Sequence, residues 1–149
     1  MKTVILLILS LSVSAMDLTS TLKVEEGFSA TVYKDHLGFD TIGFGHRCVK
    51  NHPMVTKSEA EVILANDIKI AMSKVDSLVG KNAPQEVKEI VTAMCFQLGY
   101  AGVKKFKLMI KKIKANDYKR ASKEMLNSEW HEQTPGRVER LAKLMSAVK

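Results

Sequence analysis

Three side chains near the N-terminus have the types and spacing for acid–base work on a sugar bond. Glu26 is followed nine residues later by Asp35, and six further on by Thr41. A carboxylic acid that keeps its proton, opposite an ionised carboxylate, is what glycoside hydrolysis needs, and a threonine hydroxyl is suited to holding the attacking water. Glu26 stands between Val24 and Phe28, and an acid in a partly apolar site retains its proton nearer neutral pH. Spacing alone leaves a plainer reading open. Glu25 and Glu26 are then solvated carboxylates at a helix end, Asp35 is a turn residue and Thr41 a β-former.

Other groups are weaker. His46, Cys48 and His52 are of zinc-ligand type, but their spacing matches no standard ligand set. Gly43-Phe44-Gly45-His46 lacks the third glycine of a dinucleotide fingerprint. Its glycines suit close approach of backbone to backbone or ligand. Cys95, in the apolar run 91–98, reads as a buried, inert thiol. Residues 104–114 carry six lysines around Phe106, Met109, Ile110 and Ile113. This is either a cationic helix for an anionic surface or the solvated face of a core helix.

The positioning elements follow from pattern. Residues 16–26 read as a short helix capped by Asp17, with Leu18, Leu22 and Val24 as its apolar stripe and Gly27 ending it. Residues 31–33 are β-type, 35–38 form a turn, and 39–44 alternate, so a hairpin or three-stranded sheet is expected. Residues 47–55 read as a loop. Thr56-Lys57-Ser58-Glu59 is a capping box opening a long helix that Gly80 closes. Further helices begin at Pro84, near Val103, at Asn116 or Asp117, and at Thr134 with Pro135 in first position. A break is expected at 99–102. The fold class is α+β, with a small sheet near the N-terminus and a larger helical part.

The chain has 149 residues, 46% hydrophobic and 26% charged, which excludes a disordered or collagen-like chain and suits one domain. Its two cysteines do not define a disulfide framework. The net charge of +7 favours anionic partners without choosing among nucleic acid, membrane and wall polymer. Met1-Lys2, an apolar run over 4–13 and the small residues of 13–15 read as a secretory signal cut after Ala15. The run is shorter than the ~20 apolar residues of a membrane-spanning helix.

Glu26-Gly27, Tyr33-Lys34-Asp35, Gly38 and Thr41-Ile42-Gly43-Phe44-Gly45-His46 resemble the active-site block of the T-even phage type lysozymes, glycoside hydrolase family 24. The likeness continues in Thr56-Lys57-Ser58-Glu59-Ala60-Glu61, Phe96-Gln97-Leu98-Gly99, Gly102-Val103, Phe106, Ser128-Glu129-Trp130 and Gln133-Thr134-Pro135-Gly136-Arg137. It spans about residues 16–144. The resemblance implies a lysozyme-like fold, with a small lobe over about 27–55, an interlobe helix over about 56–79, a helical lobe over about 80–149 plus 16–26, and a cleft between the lobes. It implies hydrolysis, with inversion, of the β-1,4 bond between N-acetylmuramic acid and N-acetylglucosamine in peptidoglycan. Glu26 is then the general acid, and Asp35 and Thr41 hold or activate water. Arg137 pairs with the catalytic glutamate, His46 pairs with Asp67, and Gly45, Phe96 and Gln97 contact substrate. No metal or cofactor is needed, because acid–water chemistry requires none.

The chain departs from the family pattern in three places. Only nine residues separate His46 from Thr56, so the small lobe is trimmed. Glu124 and Glu129 stand where the best-known phage member has neutral and basic residues. Residues 1–15 precede the family pattern. The expected protein is an exported, monomeric, bacteriolytic enzyme, serving phage release or antibacterial defence and digestion. Its partners are peptidoglycan, with anionic wall polymers or membrane as secondary contacts, and no nucleic acid. Competing readings are a zinc amidase using His46, Cys48 and His52, a cationic membrane-active protein acting through 104–114, and a nucleic-acid-binding helical domain.

Overall fold

A computed structural model describes residues 16–149; the expected secretory signal lies outside the described residues. The elements run α1 (Leu18–Glu26), β1 (Ser29–Lys34), β2 (Asp40–Gly43), β3 (His46–Arg47), α2 (Lys57–Val79), α3 (Gln85–Lys104), α4 (Lys107–Lys114), α5 (Tyr118–Leu126), α6 (Glu129–Gln133) and α7 (Pro135–Ala147). The class is α+β and lysozyme-like, as the sequence implied.

Local chemistry sets the ends of α1. The Asp17 side chain accepts from the Ser20 amide, and Gly27, at φ 68, releases the chain toward the sheet. Leu18 and Leu22 are buried, but Val24 is 84% exposed. The apolar stripe is therefore narrower than expected.

The three strands form an antiparallel sheet in the order β1-β2-β3. The turn joining the first two closes with the Gly38 amide donating to the Asp35 carbonyl at 2.9 Å. Alternation fails along β2, because Thr41, Ile42, Gly43 and Phe44 are all buried. Ile42 and Phe44 join the hydrophobic core. The sheet lies close on α2: a Cβ at Gly43 would sit 3.1 Å from that of Ala60. The expected loop over 47–55 begins one residue later, since Arg47 pairs with Thr41 in β3.

Both halves of the capping box are made at α2. Thr56 Oγ1 accepts from the Glu59 amide at 3.2 Å, and the Thr56 amide donates to Glu59 Oε2 at 2.7 Å. Three ion pairs tie α2 to the rest. Lys23 Nζ lies 2.7 Å from Glu61, His46 Nδ1 lies 2.8 Å from Asp67, and Lys88 Nζ lies 2.7 Å from Asp76.

The helical core gathers Val87, Ile90, Met94, Met109, Met125 and Met145, all essentially without exposure. The expected break at 99–102 is a kink confined to Gly99, at φ 69 and ψ 160, inside α3. Helix α4 starts at Lys107 rather than Val103, with Phe106 at its N-cap. Thr134 stands at the N-cap of α7 without capping it. Its hydroxyl instead donates to the Trp130 carbonyl at 3.2 Å. The short α6 was not foreseen as a helix; Ser128 caps it through the His131 amide. Among the described residues, no helix is long and apolar enough to cross a membrane.

Candidate active site

A cleft of about 670 Å³ opens beside the sheet, α2 and α3. Glu26, Asp35, Thr41 and Gly45 all line it. So do His46 and Asp67, and, from α3, Phe96 and Gln97. Residues scattered over 72 positions of sequence thus reach one cavity. Glu26 comes from the last turn of α1, Asp35 from the turn after β1, and Thr41 from the second position of β2.

The two carboxyls are displaced in opposite directions. Burial raises Glu26 above the ordinary carboxylate range, and the negative charge of Glu25 adds to it. The Arg137 guanidinium and positive charge at His36 oppose this without overcoming it. The burial is tertiary: a Cβ at Gly45 would lie 2.8 Å from Glu26 Oε2. Of the sequence neighbours, Val24 is exposed and Phe28 half-exposed.

Asp35 goes the other way. Its Oδ1 accepts from the Phe39 and Leu37 amides, each at 2.9 Å. These bonds, led by that of Phe39, hold it below the usual range, with help from Arg47 and His36 and against some desolvation. Arg47 lies 4.0 Å from Oδ2 and stacks on the Phe39 ring at 3.8 Å. One Asp35 oxygen is therefore committed to backbone, and among the described residues the other faces only this longer contact.

Thr41 is 2% exposed and donates its hydroxyl proton to the Phe39 carbonyl at 3.1 Å. With that proton committed, Oγ1 meets a further group as an acceptor. That is the capacity needed to orient a water.

Two supporting assignments change. Arg137 Nε pairs with Glu25 at 3.3 Å, and Arg140 grips the same carboxylate at 2.9 Å. The resemblance had Arg137 pairing with the catalytic glutamate. Here it reaches Glu26 only through its field, because Glu25 points back toward α7 and takes the guanidinium. Gln97 lines the cleft, but its side-chain amide is engaged elsewhere. Its Oε1 accepts from Trp130 Nε1 at 2.9 Å, and its Nε2 donates to Thr134 Oγ1 at 3.3 Å.

Sequence reasoning passed over Tyr33, His36 and Arg47 as site groups, although all three line the cleft. The fields of Glu26 and Asp35 add to burial in raising the Tyr33 hydroxyl. The available signal was adjacency, since Tyr33 and His36 flank Asp35 within three residues.

The zinc alternative finds no geometry. His46 gives Nδ1 to Asp67, and His52 Nδ1 lies 2.7 Å from the Pro53 carbonyl. Among the described residues, no group of three His, Cys, Asp or Glu side chains is arranged to hold a metal ion. Cys48 and Cys95 are free thiols, and burial pushes Cys95 up to about 11, where it is inert at neutral pH.

One carboxyl raised by burial and another held down by backbone amides, on one open cleft, is an arrangement that suits glycoside hydrolysis. The sequence pattern of the phage lysozyme family matches residues 23–146, and the chain belongs to that family. It is similar to probable T4-type lysozyme 1 of Dictyostelium discoideum, at 32% identity over 149 aligned residues, covering 80% of this chain and 88% of that one. Probable T4-type lysozyme 2 of the same organism is 29% identical, over 83% of this chain and 90% of its own length. The pre-baseplate central spike protein Gp5 of Enterobacteria phage T4 is 26% identical, over 87% of this chain but only 28% of that protein. The protein is a glycoside hydrolase of the muramidase type, directed at peptidoglycan.

Proposed function

We propose that the protein cleaves the β-1,4 bond between N-acetylmuramic acid and N-acetylglucosamine, with Glu26 as general acid. The observation that carries this reading is the opposite displacement of Glu26 and Asp35 on one cleft. Glu26 gives its proton to the glycosidic oxygen as the bond from C1 to that oxygen breaks. A water on the other face of the sugar, oriented by Asp35 and by the acceptor lone pairs of Thr41, attacks C1 and passes a proton to Asp35. One water is consumed, the muramic acid gains a reducing end with inverted configuration, and solvent returns the protons. Gly45 leaves room for the acid, and Phe96 offers an apolar wall to sugar. Gln97 acts by holding α6 against α3 rather than by touching substrate with its amide.

Residues 1–15 direct export, the enzyme acts as a monomer, and it serves bacterial lysis, in phage release or in antibacterial defence and digestion. The test is product chemistry. Digested peptidoglycan is reduced with borohydride, hydrolysed and separated. Muramitol is expected. Glucosaminitol would move the cut to the other bond, and neither alcohol with new amino termini would mean an amidase.

A further inference from the structure

The positive charge of this protein is not spread over it. Between Lys104 and Lys123 lie nine of the 23 lysines and arginines and one of the 16 acids. That stretch of 20 residues carries +8, so the rest of the chain sums to −1. It forms the end of α3, all of α4 and most of α5, and α4 packs on α5.

The lysines are solvated. Lys104, Lys105, Lys107, Lys111, Lys114, Lys119 and Lys123 are all exposed. Among the described residues, the ion pairs touch this stretch only at Arg120–Asp117, 3.4 Å. None of its residues lines the cleft. Seven cations held on two adjacent short helices repel one another, while Met109, Ile113, Tyr118, Ala121 and Met125 supply the core contacts of α4 and α5.

That burial also discriminates between anionic partners. A cationic helix enters a lipid interface by laying down its apolar face. In α4 that face is spent on the protein's own core, with Met109 and Ile113 buried and Ile110 half-buried. What remains outward on α4 is mostly charge, with Leu108 the one large apolar side chain left exposed, and that suits a flexible polyanion lying across the surface rather than a bilayer.

We propose that the Lys104–Lys123 face is a second binding surface, which attaches the enzyme to phosphodiester-bearing polymers linked to the cell wall. This rests on the wall being the substrate. Attachment and cleavage are separate in space, so the face acts on retention at the wall and not on the chemical step.

The test uses the full chain carrying Glu26→Gln, so that walls are bound without being digested. It is sedimented with purified walls that either keep their phosphodiester polymers or have been stripped of them by hydrofluoric acid. A companion protein adds Lys111→Gln, Lys114→Gln, Lys119→Gln and Lys123→Gln, and another replaces the same four by Arg. Binding to intact walls is expected to exceed binding to stripped walls at least tenfold, to fall by a similar factor in the Gln set, and to persist in the Arg set. With about four contacts of roughly 0.7 each on the log–log salt slope, a fourfold rise in salt weakens binding by about 50-fold. On soluble glycan fragments, the four Gln changes in an otherwise wild-type chain leave turnover unchanged, which separates this surface from the cleft. Equal binding to both walls, or a Gln set that binds like its parent, overturns the proposal. So does capture by phosphatidylglycerol vesicles that matches capture by intact walls.

Discussion

Gly45 and Glu26 share a space that has no room for one more carbon. A Cβ on Gly45 would stand 2.8 Å from Oε2, 3.3 Å from Cδ and 3.4 Å from Cγ of Glu26, and its φ of +77° disfavours any side chain. The glycine between β2 and β3 therefore decides where the acid of α1 sits. A backbone wall replaces water on one side of the carboxyl, and that burial helps to raise Glu26.

Gly45→Ala is accordingly expected to fold, because the displaced atom is the free end of a flexible side chain. Strain at a left-handed position costs about 1–2 kcal/mol. Moving the acid by the order of an ångström costs about 100-fold in turnover. Thermal melting and steady-state rates on the same preparation check this. A variant with parental turnover would show that the acid's position is not set here.

The raised Glu26 also has a consequence for stability. Its folded pKa lies above its unfolded value, so the native state holds the proton more tightly than the unfolded chain. Stability is then fullest below the unfolded pKa and is lost as pH rises through the folded one. Glu26→Gln removes that loss. Its melting temperature is expected to exceed the parent's at pH 7 and to converge on it near pH 4. The reverse ordering at pH 7 would mean that the charged form is favoured by its surroundings.

The same two directions set the rate profile. Hydrolysis requires Glu26 protonated and Asp35 ionised, so the alkaline limb of kcat/KM should lie above the ordinary glutamate range and its acid limb below the ordinary aspartate range. Arg137 opposes the rise of Glu26, so Arg137→Met moves the alkaline limb upward. Its stability cost stays near about 1–2 kcal/mol, because Arg140 still holds Glu25. An alkaline limb that does not move would detach that limb from Glu26.

Thr41 supplies an acceptor. Thr41→Ala is expected to lower turnover by about 100-fold or more while costing about 1 kcal/mol for its lost bond to Phe39. Thr41→Ser keeps the oxygen and most of the activity. If Ser and Ala behave alike, the hydroxyl is not used.

Gln97→Ala separates packing from substrate contact. It leaves the Trp130 Nε1–H, on a side chain only 3% exposed, without its partner. A loss of about 1–3 kcal/mol is expected, with KM changed little. A large KM effect at unchanged stability would return Gln97 to the substrate.

The legible parts of this protein were those written in short stretches of sequence. Asp17, Gly27, the Thr56–Glu59 box, Gly80 and Asp117 set element ends through contacts within four residues, and each end falls where those residues put it. The fold class followed from the same signals. What eluded reading depends on distant partners. Arg137 chose Glu25 over Glu26 because of how α7 meets α1. The Thr134 hydroxyl turned to Trp130 and Gln97 instead of capping α7. Val24 took solvent because nothing folds over it. The burial that raises Glu26 includes a close approach of Gly45, which no spacing in the chain reveals.

The most direct measurement is the release of reducing ends from purified peptidoglycan by the wild-type protein and by Glu26→Gln, both with chelator present. Steady release is expected from the wild type and loss of nearly all of it in the variant, with the variant's melting temperature equal or higher at pH 7. Wild-type-like release by Glu26→Gln would remove Glu26 from the chemistry, and the acid would then have to be sought elsewhere on the cleft.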